Sequence, residues 1–225
     1  MAKDLLLVAD PFPRLVFKSH YDGFSDTAKW TEICEGIMRG TGGHNSYLEA
    51  GAAQSSVRNQ ASAPHKLAVF QPYYNWLWPK IKEVMFLQWG LETEIDYWVN
   101  DSWVNYHLPG GKTLEHTHGY ASMAISTYIT HPENSGNIEF LDPCEAMWAM
   151  HFRAHYRTRP PSGWRSVEVN QGDTCFFPGW LVHRTEEHTG ANEKRWVLTT
   201  NILCVNHSRS APDHQKLFPT GKWND

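Results

Sequence analysis

The feature that most constrains this chain is the rhythm of its second half. From about Tyr97 to Asn206, short runs of β-favouring residues alternate with turn signals. Ser102 to Leu108 ends at Pro109-Gly110-Gly111. Ala121 to Ile129 is closed by His131-Pro132-Glu133-Asn134-Ser135-Gly136, and Asn137 to Leu141 stops at Asp142-Pro143. Ser166 to Val169 runs into Gln171-Gly172-Asp173, and Thr174 to Phe177 into Pro178-Gly179. Trp180 to Thr185 and Trp196 to Val205 complete the set. Many short strands at this spacing predict a sandwich, jelly roll or barrel.

The first half has a different texture. Pro13 to Lys18 reads as a strand. Asp26 is placed to cap a helix whose apolar positions Trp30, Ile33, Cys34 and Ile37 share one face, with Gly40, Gly42 and Gly43 stopping it. Residues 44–65 read as loop with some short ordered structure. Pro79 reads as the first residue of a second helix, with Ile81, Val84, Met85, Leu87 and Trp89 as its apolar face, ending near Gly90. The expected fold is mainly β with flanking helices, in one domain. Residues 1–98 form a mostly helical support, 99–206 the β core and 207–225 a surface tail.

Composition narrows the function classes. A net charge of −4 offers no basic surplus for nucleic acid. Cys34, Cys144, Cys175 and Cys204 are scattered with no CxxC pair, against a zinc ribbon or a thioredoxin motif. They read as reduced thiols of a cytoplasmic protein. Leu5 to Ala9, bracketed by Asp4 and Asp10, is too short and acidic for a signal peptide, and no apolar run approaches the roughly 20 residues of a membrane span. Eleven tryptophans point to a large aromatic core.

The chemistry lies in the histidines. Thirteen are present, so most have ordinary roles. His116-Thr117-His118 stands between two strands, and residues i and i+2 of extended chain point to one side. His183 is the best third partner, and Arg195 opens a strong strand twelve positions later. A non-haem Fe(II) centre needs protein ligands on one face and open positions opposite. A 2-oxo acid chelates two of these, and its far carboxylate needs a fixed cation, for which arginine offers a two-pronged fork. Glu115 is a weaker alternative ligand, pointing away from its neighbours, and His151 and His155 lack a third partner.

The ordered motifs resemble the 2-oxoglutarate/Fe(II) oxygenases related to prolyl 4-hydroxylases. They are His116-Thr117-His118, Tyr128, Pro132 to Gly136, Phe140-Leu141-Asp142-Pro143, Gly172-Asp173, Phe177-Pro178-Gly179-Trp180 with His183, and Arg195 to Asn201. Trp103-Val104-Asn105 fits upstream. The resemblance spans Trp103 to Asn201. It implies a double-stranded β-helix, a cupin-like jelly roll, with the metal inside its open end. It also implies Fe(II) and O₂, 2-oxoglutarate as cosubstrate, and hydroxylation of a peptide side chain or small metabolite. The metal ligands would be His116, His118 and His183, and Arg195, Tyr128, Asn105 and Asn201 would bind the cosubstrate.

His118 departs from the wider pattern, where a carboxylate is commonest. Three neutral imidazoles leave the full metal charge to be balanced by other groups. Either His118 completes the metal shell or it supports His116 and His183 from outside. Two rivals stay open: a three-histidine dioxygenase without 2-oxoglutarate, and a non-catalytic metal-binding jelly roll. Arg153, Arg157 and Trp148, in the long connection after Asp142, and Trp180 are the candidate substrate contacts.

Overall fold

A computed structural model describes residues 15–44, 48, 51–56, 62–91, 95–144 and 163–206. Among the described residues, ten strands are arranged in two antiparallel sheets. They are β1 Phe17–His20, β2 Gly43–His44, β3 Ala53–Ser56, β4 Ile95–His107, β5 Met123–Tyr128, β6 Ile138–Leu141, β7 Trp164–Val167, β8 Asp173–Pro178, β9 His183–Thr185 and β10 Arg195–Asn206. The larger sheet runs β1-β8-β5-β10-β4-β3-β2 and the smaller β7-β6-β9. This is the jelly roll that the strand rhythm predicts.

Burial on both faces explains why the central strands look continuously apolar. Every residue of β5 and β8 is buried. Side chains alternate between two cores, as a period of two requires. Met123 and Ile125 of β5, Phe176 of β8, and Trp196, Leu198 and Ile202 of β10 face the helices. Ala124, Tyr128, Cys175, Phe177 and Val197 face inward and meet Ile138 and Phe140 of the smaller sheet. The second of these layers surrounds the candidate site.

The helical layer covers the first. Helix α1, Thr27–Thr41, starts where Asp26 accepts a hydrogen bond from the Lys29 N–H at 3.1 Å. Gly42 ends it at φ 73°, a conformation that glycine adopts without strain. Trp30, Cys34 and Ile37 are its buried stripe. Helix α2, Gln71–Lys82, buries Tyr73, Tyr74, Leu77, Trp78 and Ile81. The hydroxyls of Tyr73 and Tyr74 are satisfied at the sheet by Thr127 at 2.5 Å and Thr200 at 3.0 Å.

Four local expectations change or sharpen. Pro79 lies inside α2 rather than at its start, because Pro72 occupies the first turn and the apolar stripe pins the helix through the missing N–H. Loop-like residues 44–65 include β3, paired with β4. The strand expected at 102–108 begins at Ile95, extended by its long ladder with β10. The segment from Trp180 becomes strand only at His183, and Trp180 is 53% exposed. Among the described residues, no helix is long and apolar enough to cross a membrane.

Candidate metal centre

Four strands present an alternating row of side chains to one cavity of about 390 Å³. β4 contributes Trp103, Asn105 and His107, β5 contributes Ser126 and Tyr128, β9 contributes His183 and Thr185, and β10 contributes Val197 and Thr199. Cross-strand pairing sets their order. Val197 lies opposite both Asn105 and Tyr128, and Thr199 opposite Trp103 and Ser126.

His116 and His118 precede β5 and lie outside any long ladder. An isolated β-bridge fixes them instead. His116 and His183 exchange backbone hydrogen bonds of 3.1 Å in both directions, and the His118 N–H donates to Gly179 at 2.7 Å. The two-residue alternation therefore survives without a regular strand. The three imidazoles offer ligand atoms all within 4.8 Å of one another, and the Nε2 atoms of His116 and His118 are 3.3 Å apart. Two ligands at about 2.1 Å from a metal, at right angles, stand about 3 Å apart.

The outer nitrogen of each ring has a partner. His116 Nδ1 meets the Leu114 carbonyl at 2.8 Å, and His183 Nδ1 meets the Leu181 carbonyl at 2.9 Å. Carbonyls only accept, so both Nδ1 atoms carry the proton and both Nε2 atoms keep a lone pair. His118 Nδ1 meets Asn201 Oδ1 at 2.6 Å. Burial, with His116 and His118 close by, pushes the His183 imidazole well below its ordinary range, so it is held neutral. Trp103 stacks on the His118 ring at 5.7 Å. A set of neutral imidazoles sharing one focus, each anchored from behind, fits a divalent transition metal.

Deeper in the cavity the walls become hydroxyl-rich. The Tyr128 hydroxyl is buried with no partner among the described residues. Burial pushes its phenol up, so it stays protonated and able to donate. Behind it, Arg195 is fully buried, its guanidinium held by the carbonyls of Ser135 and Gly136, Thr185 Oγ1 and His107 Nδ1. Burial lowers Arg195 to about 10, which leaves it cationic at neutral pH. No carboxylate pairs with it among the described residues. Glu186 acts on it only as a neighbouring charge.

The sequence-predicted residues divide accordingly. His116, His118, His183, Tyr128 and Asn105 share the cavity. Asn105 is tied to Ser55 and, at 3.0 Å, to Thr199. Arg195, Asn201 and Trp180 are not in the cavity wall: Arg195 stands behind His107 and Thr185, and Asn201 behind His118. Trp148, Arg153, Arg157, His151 and His155 lie outside the described residues. Sequence reasoning missed His107, Thr113 and Thr185. His107 and Thr185 were findable, each two positions beyond a named residue on the same strand.

The profile of a protein family described as "Putative 2OG-Fe(II) oxygenase" matches residues 101–201, the segment that carries all three histidines, Tyr128 and Arg195. The match covers 101 of the 225 residues. That match, with the three-histidine cluster, marks the protein as a dioxygenase that uses Fe(II) and 2-oxoglutarate. Solved structures agree on the fold. The oxygenase is similar to the non-heme alpha-ketoglutarate-dependent carbocyclase SnoK from nogalamycin biosynthesis, at 14% identity and a TM-score of 0.57, over 93% of this chain and 88% of that one. It is also similar to a Pseudomonas putida prolyl-4-hydroxylase, at 12% identity and 0.52, over 84% and 91%. HygX from Streptomyces hygroscopicus, with nickel and 2-oxoglutarate bound, aligns at 8% identity and 0.54, over 83% and 82%. Among curated proteins, no sequence matches the oxygenase.

Proposed function

We propose that this dioxygenase hydroxylates an unactivated C–H bond of a peptide side chain or small metabolite, with His116, His118 and His183 as the iron ligands. The observation that carries this reading is the convergence of three imidazoles on a hydroxyl-lined cavity, two of whose lining residues, His107 and Thr185, are bonded to the buried Arg195. Bound iron and 2-oxoglutarate supply the oxidising chemistry, with succinate and CO₂ as coproducts.

The chain's residues bind, orient and exclude water. A buried cation without a paired carboxylate is costly, and an incoming dianion relieves that cost. Arg195, with the Tyr128 hydroxyl as a donor, therefore receives the distal carboxylate of 2-oxoglutarate. Asn105, held by Ser55 and Thr199, keeps an amide proton for a ligand in the cavity. Trp103 shields the His118 face from solvent.

Substrate enters at the rim, where Leu114, Tyr120 and Trp180 are exposed beside the histidine segment. Arg153, Arg157 and Trp148 are proposed to extend this contact surface. We further propose that the whole chain forms one domain acting in the reducing cytoplasm, where thiols such as Cys34 and Cys175 persist.

The test is succinate formation from 2-oxoglutarate by the Fe(II)-loaded protein in air, preceded by an anaerobic charge-transfer band with Fe(II) and 2-oxoglutarate. A His183→Ala variant is expected to lose both. Iron binding with neither the band nor succinate would overturn the 2-oxoglutarate reading.

A further inference from the structure

We infer that Asp101, Tyr120 and Asn201 are positioning residues that fix the direction in which His118 presents its lone pair. The inference rests on the reading of His118 as a metal ligand and says how that ligand is set. Three hydrogen bonds join these residues in a row. Tyr120 Oη donates to Asp101 Oδ2 at 2.6 Å, Asn201 Nδ2 donates to Tyr120 Oη at 2.8 Å, and Asn201 Oδ1 faces His118 Nδ1 at 2.6 Å.

The polarity of this row is forced from one end. An ionised carboxylate only accepts, so the phenolic proton of Tyr120 points at Asp101. The tyrosine oxygen then accepts from the amide NH₂ of Asn201. That places the amide oxygen against His118, whose Nδ1 must carry the proton. Nε2 is left with its lone pair aimed at His116 and His183. A flipped amide would set two acceptors against each other at Tyr120 or at Asp101.

Backbone geometry supplies the placement. Asp101 and Asn201 are direct cross-strand partners on β4 and β10. Immediately beyond them the register slips, so that Ile202 lies opposite Val99. A bulge of this kind bends the strand and re-aims the side chains beside it. Tyr120 reaches the pair from the turn that follows His118. His116 and His183 need no such device, since backbone carbonyls hold their Nδ1 atoms.

The row also answers the charge problem of the three-histidine set. Asp101 is a carboxylate linked to His118 through two hydrogen-bonding groups. A negative charge at the end of such a chain makes the imidazole a stronger donor. The carboxylate missing from the expected ligand position thus reappears behind the ligand.

The experiment uses the full-length protein with Asp101→Asn and Tyr120→Phe. Each is nearly isosteric, and Tyr120 is half exposed, so the fold is expected to stand. Long-range ¹H–¹⁵N spectra of the metal-free protein report the tautomer of each histidine, and Co(II) titration followed in the visible reports affinity. Wild type is expected to show His118 wholly as the Nδ1–H form. In D101N the new amide can donate to Tyr120, so the row can run either way, and both His118 tautomers are expected. Y120F is expected to show the same mixture. Co(II) binding should weaken about 10- to 100-fold in both variants, while His116 and His183 keep their tautomers. His118 remaining entirely Nδ1–H in both variants would overturn the inference. A tautomer change without Co(II) binding to wild type would uphold the row and remove the metal reading instead.

Discussion

At the scale of single residues, the cavity separates groups bonded into the fold from groups left without a partner among the described residues. Tyr128 is the clearest of the second kind, because its buried hydroxyl has no partner among the described residues. Tyr128→Phe should therefore leave thermal stability unchanged or slightly raised. It should weaken 2-oxoglutarate binding about tenfold, the worth of one hydrogen bond to an anion. Calorimetric titration of the metal-loaded variant checks both halves, and a large stability loss with unchanged affinity would contradict the assignment. Arg195 differs, since its guanidinium also fastens the Ser135-Gly136 turn. Arg195→Gln is expected to lower both the melting temperature and the 2-oxoglutarate affinity, the latter by about 10- to 100-fold. His107 belongs to the first kind. Burial and the neighbouring Arg195 push it well below its ordinary range, so it stays neutral and accepts from the arginine.

At the scale of elements, the turn between β8 and β9 sets the histidine segment against its partner. A Cβ on Gly179 would stand 2.0 Å from the Ala121 carbonyl and 2.7 Å from that of His118. Both contacts are backbone, so the segment must move. Gly179→Ala is expected to cost about 3 kcal/mol of stability and to weaken metal binding, measured by denaturant unfolding and Co(II) titration. Asp26→Ala makes the contrast. Loss of that helix cap should cost about 1 kcal/mol and leave metal affinity unchanged. Much of this was legible beforehand. The Asp26 cap, the punctuated strands and the i, i+2 relation of His116 and His118 are local signals, and local signals survive folding. Pro79 misled because a proline at a helix start and one inside a helix look alike when the stripe from Tyr73 to Ile81 that holds it is a tertiary matter. Asn201 was named from the resemblance, as a cosubstrate contact. Its partner depended on where the 116–118 segment passes, which no period reveals.

At the scale of the whole molecule, the helical layer and the sheet share one aromatic core, and one buried group in it is sensitive to acid. His65 is buried and lowered to about 4, chiefly by desolvation, with Lys66 adding to it. The unfolded chain takes up this proton near pH 6.5 and the folded chain only near 4. Between those values the unfolded state binds more protons, so stability falls as the pH falls, by up to about 3 kcal/mol. Melting temperatures measured from pH 7 down to pH 4.5 should show this decline. His65→Asn, which keeps a polar atom near Ser102, should make it shallower, the remaining slope belonging to His107 and His183, which are also lowered by burial. An equally steep decline in the variant would assign the acid sensitivity to other groups.

The two-faced β10 strand constrains how such an enzyme can diversify. Trp196 and Leu198 belong to the aromatic core, whereas Val197 and Thr199 line the cavity and Arg195, on the same face, bonds to Thr185 in its wall. Inserting or deleting one residue between 195 and 201 would exchange the two sets at a stroke, putting tryptophan in the cavity and arginine against the helices. Length variation is therefore closed to this strand. New substrate ranges must arise in the connecting loops and at the rim near Leu114, Tyr120 and Trp180, where a change of one residue alters what is contacted without inverting anything behind it.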